Sequence, residues 1–323
     1  MNRKLVIGDV HGGLKAIHQV LERANVTNND TLIFLGDYVD GWSESPAVLD
    51  FLIELQKKQP CVFIRGNHDE LLLDWLLGNN ENIDEKLWFQ HGGKATVLSY
   101  QKTDSTTKEK HIHFLQSLQD YYLDKENRLF IHAGFTNMKG VEHEYFKPLF
   151  YWDRTLWETA LAIDNQLSKD AITYPLRLKI YNEIFIGHTP VTKIDETIPV
   201  NKACVWNVDT GAAFKGKLTI MDVDTKEFWQ SDSLPELYPT EKGRNSFIPI
   251  FVLNFNFNTM KKILAAFCLL AAVQISNAQV FKGKGDTKFQ VGANIQEKGT
   301  GVIATYDRGI GTNMSSGFTS LYL

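Results

Sequence analysis

The feature that most constrains this chain is a pattern repeated three times near its start. A short apolar run is followed at once by glycine and by acidic, amide or imidazole residues, and then by a stretch of helical periodicity. Residues 4–7 lead into Gly8-Asp9-Val10-His11-Gly12, and residues 31–35 into Gly36-Asp37-Tyr38-Val39-Asp40-Gly41. Residues 61–64 lead into a turn holding Gly66-Asn67-His68-Asp69. Apolar residues at helical spacing follow over 14–24, over 46–58 and from near residue 70. Strands alternating with helices build a mostly parallel sheet whose loops gather at the carboxyl ends of the strands. The polar residues of three successive strand ends are therefore expected at one edge.

Four later strands are expected at 128–131, 183–186, 203–208 and 217–223, and these read as a second sheet. Two of them end in histidine, as Ile131-His132-Ala133-Gly134 and Ile186-Gly187-His188-Thr189-Pro190. Residues 78–125 between the two groups of strands are polar and aromatic by turns, and read as a helical lid. No repeat of 20–50 residues is visible.

Hydrophobic residues make up 43% of the 323 and charged residues 22%, enough apolar material for a sizeable core. The formal net charge of -4 gives no electrostatic reason to expect a nucleic-acid polymer. Cys61, Cys204 and Cys268 are too widely spaced for a metal clip or a disulfide framework, which suits a reducing compartment. With no apolar run after Met1, a cytoplasmic location is expected.

Asp9, His11, Asp37, Asn67, His132 and His188 together form a mixed nitrogen and oxygen ligand set. Such a set suits manganese, iron or zinc, and it lacks the thiolates of structural zinc sites. Two cations about 3.5–4 Å apart need a shared ligand, which one carboxylate with two oxygens supplies.

These motifs resemble those of the calcineurin-like metallophosphoesterase superfamily, in particular its phosphoprotein-phosphatase branch and bacterial relatives. The resemblance covers residues 4–225 and rests on G-D-x-H-G, G-D-x-x-D, G-N-H, a strand-end histidine and a late G-H. It implies an α/β fold, a β-sandwich of two mixed sheets flanked by helices in αββα layers, with a helical lid insertion. It also implies two divalent metal ions, manganese foremost, with Asp9 and His11 on the first metal. Asp37 would bridge both, and Asn67, His132 and His188 would hold the second. By the same resemblance His68 is the general acid for the leaving group and Asp40 its carboxylate partner. The implied reaction is hydrolysis of a phosphate monoester, foremost phosphoserine or phosphothreonine in a protein. Symmetrical hydrolysis of dinucleoside tetraphosphates is the alternative, and a metal-binding scaffold without turnover is a third reading. The substrate is thus expected to be a phosphorylated protein or a nucleotide.

The chain departs from the family pattern in two places. Gly41 stands where an arginine follows the second aspartate, and Asp69 replaces a glutamate, which keeps the charge and is expected to matter little. Arg154, after Tyr151-Trp152-Asp153, is the candidate for clamping phosphate, with a surface ion pair to Asp153 as the competing reading. Arg65 is a second, family-like candidate. Gly187-His188-Thr189-Pro190 lacks the further histidine of many cyclic-nucleotide and nuclease members, which favours the phosphatase branch. Asp209 is expected either to shape the site from behind or to form a strand-end turn. His91 does not follow an apolar strand and is assigned to the lid with Lys94, while His111 and His113 in a charged stretch read as a solvated face.

The catalytic domain is expected to span 1–240, followed by a linker or translated spacer over 241–259. Residues 260–278 have the anatomy of a secretory signal: a basic start, an apolar run over 263–275 and small residues. A run of thirteen residues falls short of the ~20 that span a bilayer, so a membrane anchor is disfavoured. Residues 279–323 are Gly-rich and resemble the start of an exported protein, as if an adjoining reading frame were fused to the enzyme.

Overall fold

The computed structural model describes residues 2–164, 166–241 and 243, and the backbone of 287–296, 299–309 and 315–322. The chain divides into two compact units, 1–247 and 248–323. Among the described residues no helix is long and apolar enough to cross a membrane.

The first unit is built on two mixed five-stranded sheets. One has the order β10-β9-β1-β2-β3. Its strands are β1 (Lys4–Ile7), β2 (Thr31–Phe34), β3 (Cys61–Phe63), β9 (Thr219–Asp222) and β10 (Phe228–Gln230). β1, β2 and β3 run parallel, joined by α1 (Leu14–Arg23) and α2 (Ser45–Leu55). The other sheet has the order β4-β5-β6-β8-β7. It comprises β4 (Tyr121–Leu123), β5 (Arg128–Ile131), β6 (Glu183–Ile186), β7 (Val200–Lys202) and β8 (Val205–Asn207). β5, β6 and β8 are parallel, with antiparallel edges at β4 and β7.

Strand alternation explains the layering. Leu5 and Ile7 face one apolar cluster with α1 and α2, whereas Val6 between them joins a second cluster. That second cluster holds Ile33, Ile64, Phe130, Phe185, Val208 and Met221, drawn from both sheets, and is the seam of a sandwich. Phe130 and Phe185 stack there with ring centroids 4.8 Å apart. A third cluster covers the outer face of the second sheet with α7 (Leu149–Trp152) and α8 (Thr155–Ala162). Because both faces of each sheet are buried, the central strands are continuously apolar, as parallel strands under helices must be. Each fully buried aliphatic or aromatic side chain contributes roughly 1.5–3 kcal/mol.

Two expectations need correction. The strand at 217–223 does not belong to the second sheet: β9 lies antiparallel to β1, pairing Leu5 with Asp222 and Ile7 with Ile220. Its apolar residues could be covered in either sheet, and only the unoccupied edge of β1 selects between them. The segment at 78–125 is helical as expected up to residue 116, but β4 closes it by pairing with β5. α3 (Asn67–Leu77) leads into it, and its helical part includes α4 (Glu85–Trp88), α5 (Lys94–Tyr100) and α6 (Ser105–Gln116). α9 (Leu234–Leu237) closes the first unit.

The second unit contains an antiparallel meander of β11 (Thr287–Gln296), β12 (Gly299–Gly309) and β13 (Ser315–Tyr322). The signal-like reading over 260–278, and the spacer reading over 241–259 apart from residues 241 and 243, lie outside the described residues.

Candidate metal centre

The loops after β1, β2, β3, β5 and β6 converge, as parallel strands require. Their backbones are tied together: the N–H groups of Val10 and His11 both donate to the Asp37 carbonyl, at 3.0 and 2.9 Å. Asn67 and His68 do not sit in a free turn but in the first turn of α3. There the His68 N–H donates to Asp37 Oδ1 at 2.9 Å. Asp69, one residue on, accepts from the N–H groups of Asp37, Tyr38 and Gly66, each at 2.8 Å. One carboxylate therefore ties the loop after β2 to the start of α3.

The six candidate ligands are all brought together and all are buried. His11, Asp37 and His68 offer ligand atoms within 4.8 Å of one another, and so do Asp37, His132 and His188. Asp37 is common to both groups, the position a bridging carboxylate would need. Asp9 faces His11, with Oδ2 3.8 Å from Nε2, and accepts the His188 N–H at 3.0 Å. Asn67 Oδ1 lies 3.2 Å from His132 Nε2 and 2.9 Å from His188 Nδ1. The ring partners set tautomers. His11 Nδ1 lies 3.0 Å from the Asp40 carbonyl and His132 Nδ1 2.8 Å from that of Leu35. Each Nδ1 must donate there, and both Nε2 atoms face Asp37 Oδ2, at 3.6 Å from His11 and 3.5 Å from His132, where once deprotonated they would be metal donors. His11, Asp37, Asp40 and His188 all adopt left-handed backbone, φ 52, 53, 70 and 65°. Such strain in non-glycine residues persists only where surrounding structure enforces it, and it gathers at functional sites.

The electrostatics fit a cation. Burial and the neighbouring Asp37 push the Asp9 carboxyl up to about 7. Burial, with Asp9 nearby, does the same to Asp209, also to about 7. Burial opposes ionisation of Asp37, but the imidazoles of His132 and His68 hold it well below the carboxylate range. Burial likewise opposes a charged His132, yet Asp37 and Asp9 raise it to about 10. His188 is pushed well down by burial and by His132, and its buried Nε2 has no hydrogen-bond partner. A neutral imidazole with an unsatisfied nitrogen, beside carboxylates that need positive charge, is the donor chemistry of a divalent metal site.

Asp40 and His68 form a buried pair, with Oδ2 2.6 Å from Nδ1. The same Oδ2 accepts the indole N–H of Trp88 at 2.6 Å. Sequence reasoning missed Trp88: one tryptophan among seven in an irregular segment carries no motif.

A cavity of about 250 Å³ opens over Asp37, Asn67, His68 and His188, walled by Leu71, Leu87, Trp88 and Trp152. A second, of about 580 Å³, opens over His11 and Asp209, with Lys193, Lys215 and Phe214 in its lining. His91, Arg154 and His188 line both.

Arg154 is thus placed between the cavities, and Asp153 does not hold it. Asp153 instead accepts from the N–H groups of Thr155 and Leu156 at the start of α8, at 3.1 and 2.9 Å. Arg65 pairs with Glu70 and is not among the residues lining either cavity. Lys94 is exposed and lines neither. His113 is exposed as expected, but His111 is not: it is fully buried between Tyr100 Oη at 2.7 Å and Asp50 at 3.2 Å. Packing of α6 on α2 and α5 turns its ring inward.

A buried cluster of carboxylates and imidazoles at the strand ends of an αββα sandwich, with a buried histidine–aspartate pair beside it, defines a metal-dependent phosphoesterase. The chain belongs to the calcineurin-like phosphoesterase family, whose model matches residues 3–212. Members use divalent metals, and this protein is a hydrolase of that family. It is similar to the bis(5'-nucleosyl)-tetraphosphatase PrpE (asymmetrical) of Oceanobacillus iheyensis. The two are 28% identical over 246 residues, which span 69% of this chain and 89% of the relative. The protein of the same name from Bacillus cereus is 28% identical over 238 residues, 66% of this chain and 87% of its own. A metallophosphoesterase structure from Sphaerobacter thermophilus superposes with a TM-score of 0.41 at 16% identity, covering 72% of this chain and 87% of that one. A separate family model, a family of unknown function (DUF6646), matches residues 271–323.

Proposed function

We propose that this metallophosphoesterase hydrolyses dinucleoside tetraphosphates asymmetrically, to a nucleoside monophosphate and a nucleoside triphosphate. The observation that carries this reading is the pair of unequal cavities meeting over one centre. The smaller, with its tryptophan and leucine walls, suits a nucleoside with one phosphate. The larger, with Lys193, Lys215 and Phe214, suits a nucleoside with a longer anionic chain. The names of the relatives from Oceanobacillus and Bacillus support the same substrate class.

Asp9, His11 and Asp37 would hold one cation, and Asp37, Asn67, His132 and His188 the other, with manganese the first choice. Two divalent cations, when bound, supply charge for the phosphoryl oxygens and acidify an attacking water. Arg154 would orient the phosphate chain from the rim shared by the two cavities, in place of the arginine absent at Gly41. His68, with Nδ1–H held by Asp40, would offer a proton from Nε2 to the departing oxygen.

One observation favours a second reading, a serine/threonine phosphatase. A departing alkoxide needs a proton far more than a departing phosphate does, and the Asp40–His68 pair is intact at 2.6 Å. The test is product analysis with manganese on diadenosine tetraphosphate and on a phosphoserine peptide. AMP and ATP in equal amounts are expected, with the higher kcat/KM on the dinucleotide. Lys193→Ala with Lys215→Ala should raise KM for the dinucleotide and leave p-nitrophenyl phosphate unchanged. Two ADP per turnover would transfer the reading to symmetrical cleavage, and a higher kcat/KM on the peptide would sink it in favour of the phosphatase.

A further inference from the structure

We infer that Trp88 is a positioning residue through which the lid holds the Asp40–His68 pair in working geometry. Asp40 is fully buried, and the described structure gives its Oδ2 two N–H donors, His68 Nδ1 and Trp88 Nε1, both at 2.6 Å. Its other oxygen, Oδ1, has no hydrogen-bond partner. Without the indole, the described structure leaves that carboxylate a single side-chain donor, His68 Nδ1. The Asp40 backbone is also tied to the lid, since its N–H donates to Thr96 Oγ1 at 3.0 Å.

The lid is shaped to deliver the indole. Trp88 ends α4, and the chain then leaves helical geometry at His91 and Gly92, where φ is 103°. Gly93 returns directly across the ring: a Cβ there would lie 2.4 Å from Trp88 Nε1. The Gly92 carbonyl accepts the N–H of Gly41, next to Asp40, at 3.2 Å. Trp88 also walls the smaller cavity, so the ring that orients Asp40 borders the place where substrate would sit. A lid displaced from the cavity would take with it both the wall and the hydrogen bond that fixes the acid.

This inference rests on the acid role proposed for His68, and the experiment separates the two. Trp88→Phe keeps an aromatic ring and removes the donor. Its kcat is measured with phenyl phosphate, whose leaving group is poor, and with p-nitrophenyl phosphate, whose leaving group is good. A loss of roughly tenfold on the first and under about threefold on the second is expected, a part of the roughly 10²–10⁴-fold that general acid catalysis contributes. His68→Asn should show the same dependence more strongly, and adding Trp88→Phe to it should cost nothing further. Gly93→Ala, which crowds the indole without removing it, should repeat the signature if Trp88→Phe does not fold. Equal losses on both substrates, or losses that persist undiminished in the His68→Asn background, would overturn the positioning role. If His68→Asn itself shows no leaving-group dependence, the acid assignment falls and this inference with it.

Discussion

Asp9 and Asp209, both raised to about 7, show how the site trades protons for metal. In the native state each carboxyl holds its proton more tightly than in the unfolded chain, where the value is near 3.8. Their contribution to the stability of metal-free protein is therefore present below that value and lost as pH rises through about 7. Metal binding has the opposite sign, because ligands must be deprotonated. Manganese affinity should strengthen by up to ~tenfold per pH unit for each proton displaced, and below 7 both Asp9 and His132 carry one. Calorimetric titration in two buffers of different ionisation enthalpy counts the protons released; none released at pH 6 would contradict the assignment. Asp69 acts on backbone instead. Asp69→Ala strips acceptors from the three N–H groups of Asp37, Tyr38 and Gly66. Buried donors left unpaired cost roughly 1–3 kcal/mol each, so a loss of about 3 kcal/mol or more is expected. A lower urea midpoint at unchanged slope would report it.

At the level of elements, Gly41 explains the missing arginine. Its φ is 116°, and a Cβ there would lie 3.2 Å from the His11 carbonyl oxygen. Gly41→Arg should therefore cost about 1–3 kcal/mol in stability, typical of forcing a side chain onto such backbone. It should not lower KM for p-nitrophenyl phosphate; a lower KM at unchanged thermal midpoint would refute this. The metal-bearing loops were legible in the sequence because each follows an apolar strand, and strand direction alone sends Asp9, Asp37, Asn67, His132 and His188 to one edge. What was not legible depended on packing between distant segments. β9 reads Thr219-Ile220-Met221-Asp222, which fits either sheet, and only its partner reveals which. His111 sits in a charged stretch, and its burial follows from Tyr100 and Asp50, both outside that stretch. Trp88 reaches Asp40 across 48 residues.

The molecule as a whole is two units, and the family match at 3–212 lies within the first while the match at 271–323 lies within the second. We propose that residues 260–323 are the start of a separate coding frame; sequencing across the junction, together with the mass of the purified protein, tests this, and one intact frame carried in the protein would refute it. A chain ending after Gly243 keeps Glu241, whose carboxylate accepts the Ser43 N–H at 3.0 Å. It should retain kcat/KM within about twofold, since each unit of a chain carries its own core; a tenfold loss on p-nitrophenyl phosphate would count against that independence. The place of β9 also bears on how the protein is made. β1 is made before β2 and β3, yet the neighbour on its outer side arrives only with residues 219–222. Between the synthesis of β3 and that of β9 the nascent sheet carries an open edge flanked by Leu5, Val6 and Ile7, the kind of edge that recruits other chains. The candidate ligands are likewise strung from residue 9 to residue 188, so an emerging chain offers a passing cation only a partial chelate. Closure of the sheet thus waits for residues 219–222, and assembly of the centre for residue 188.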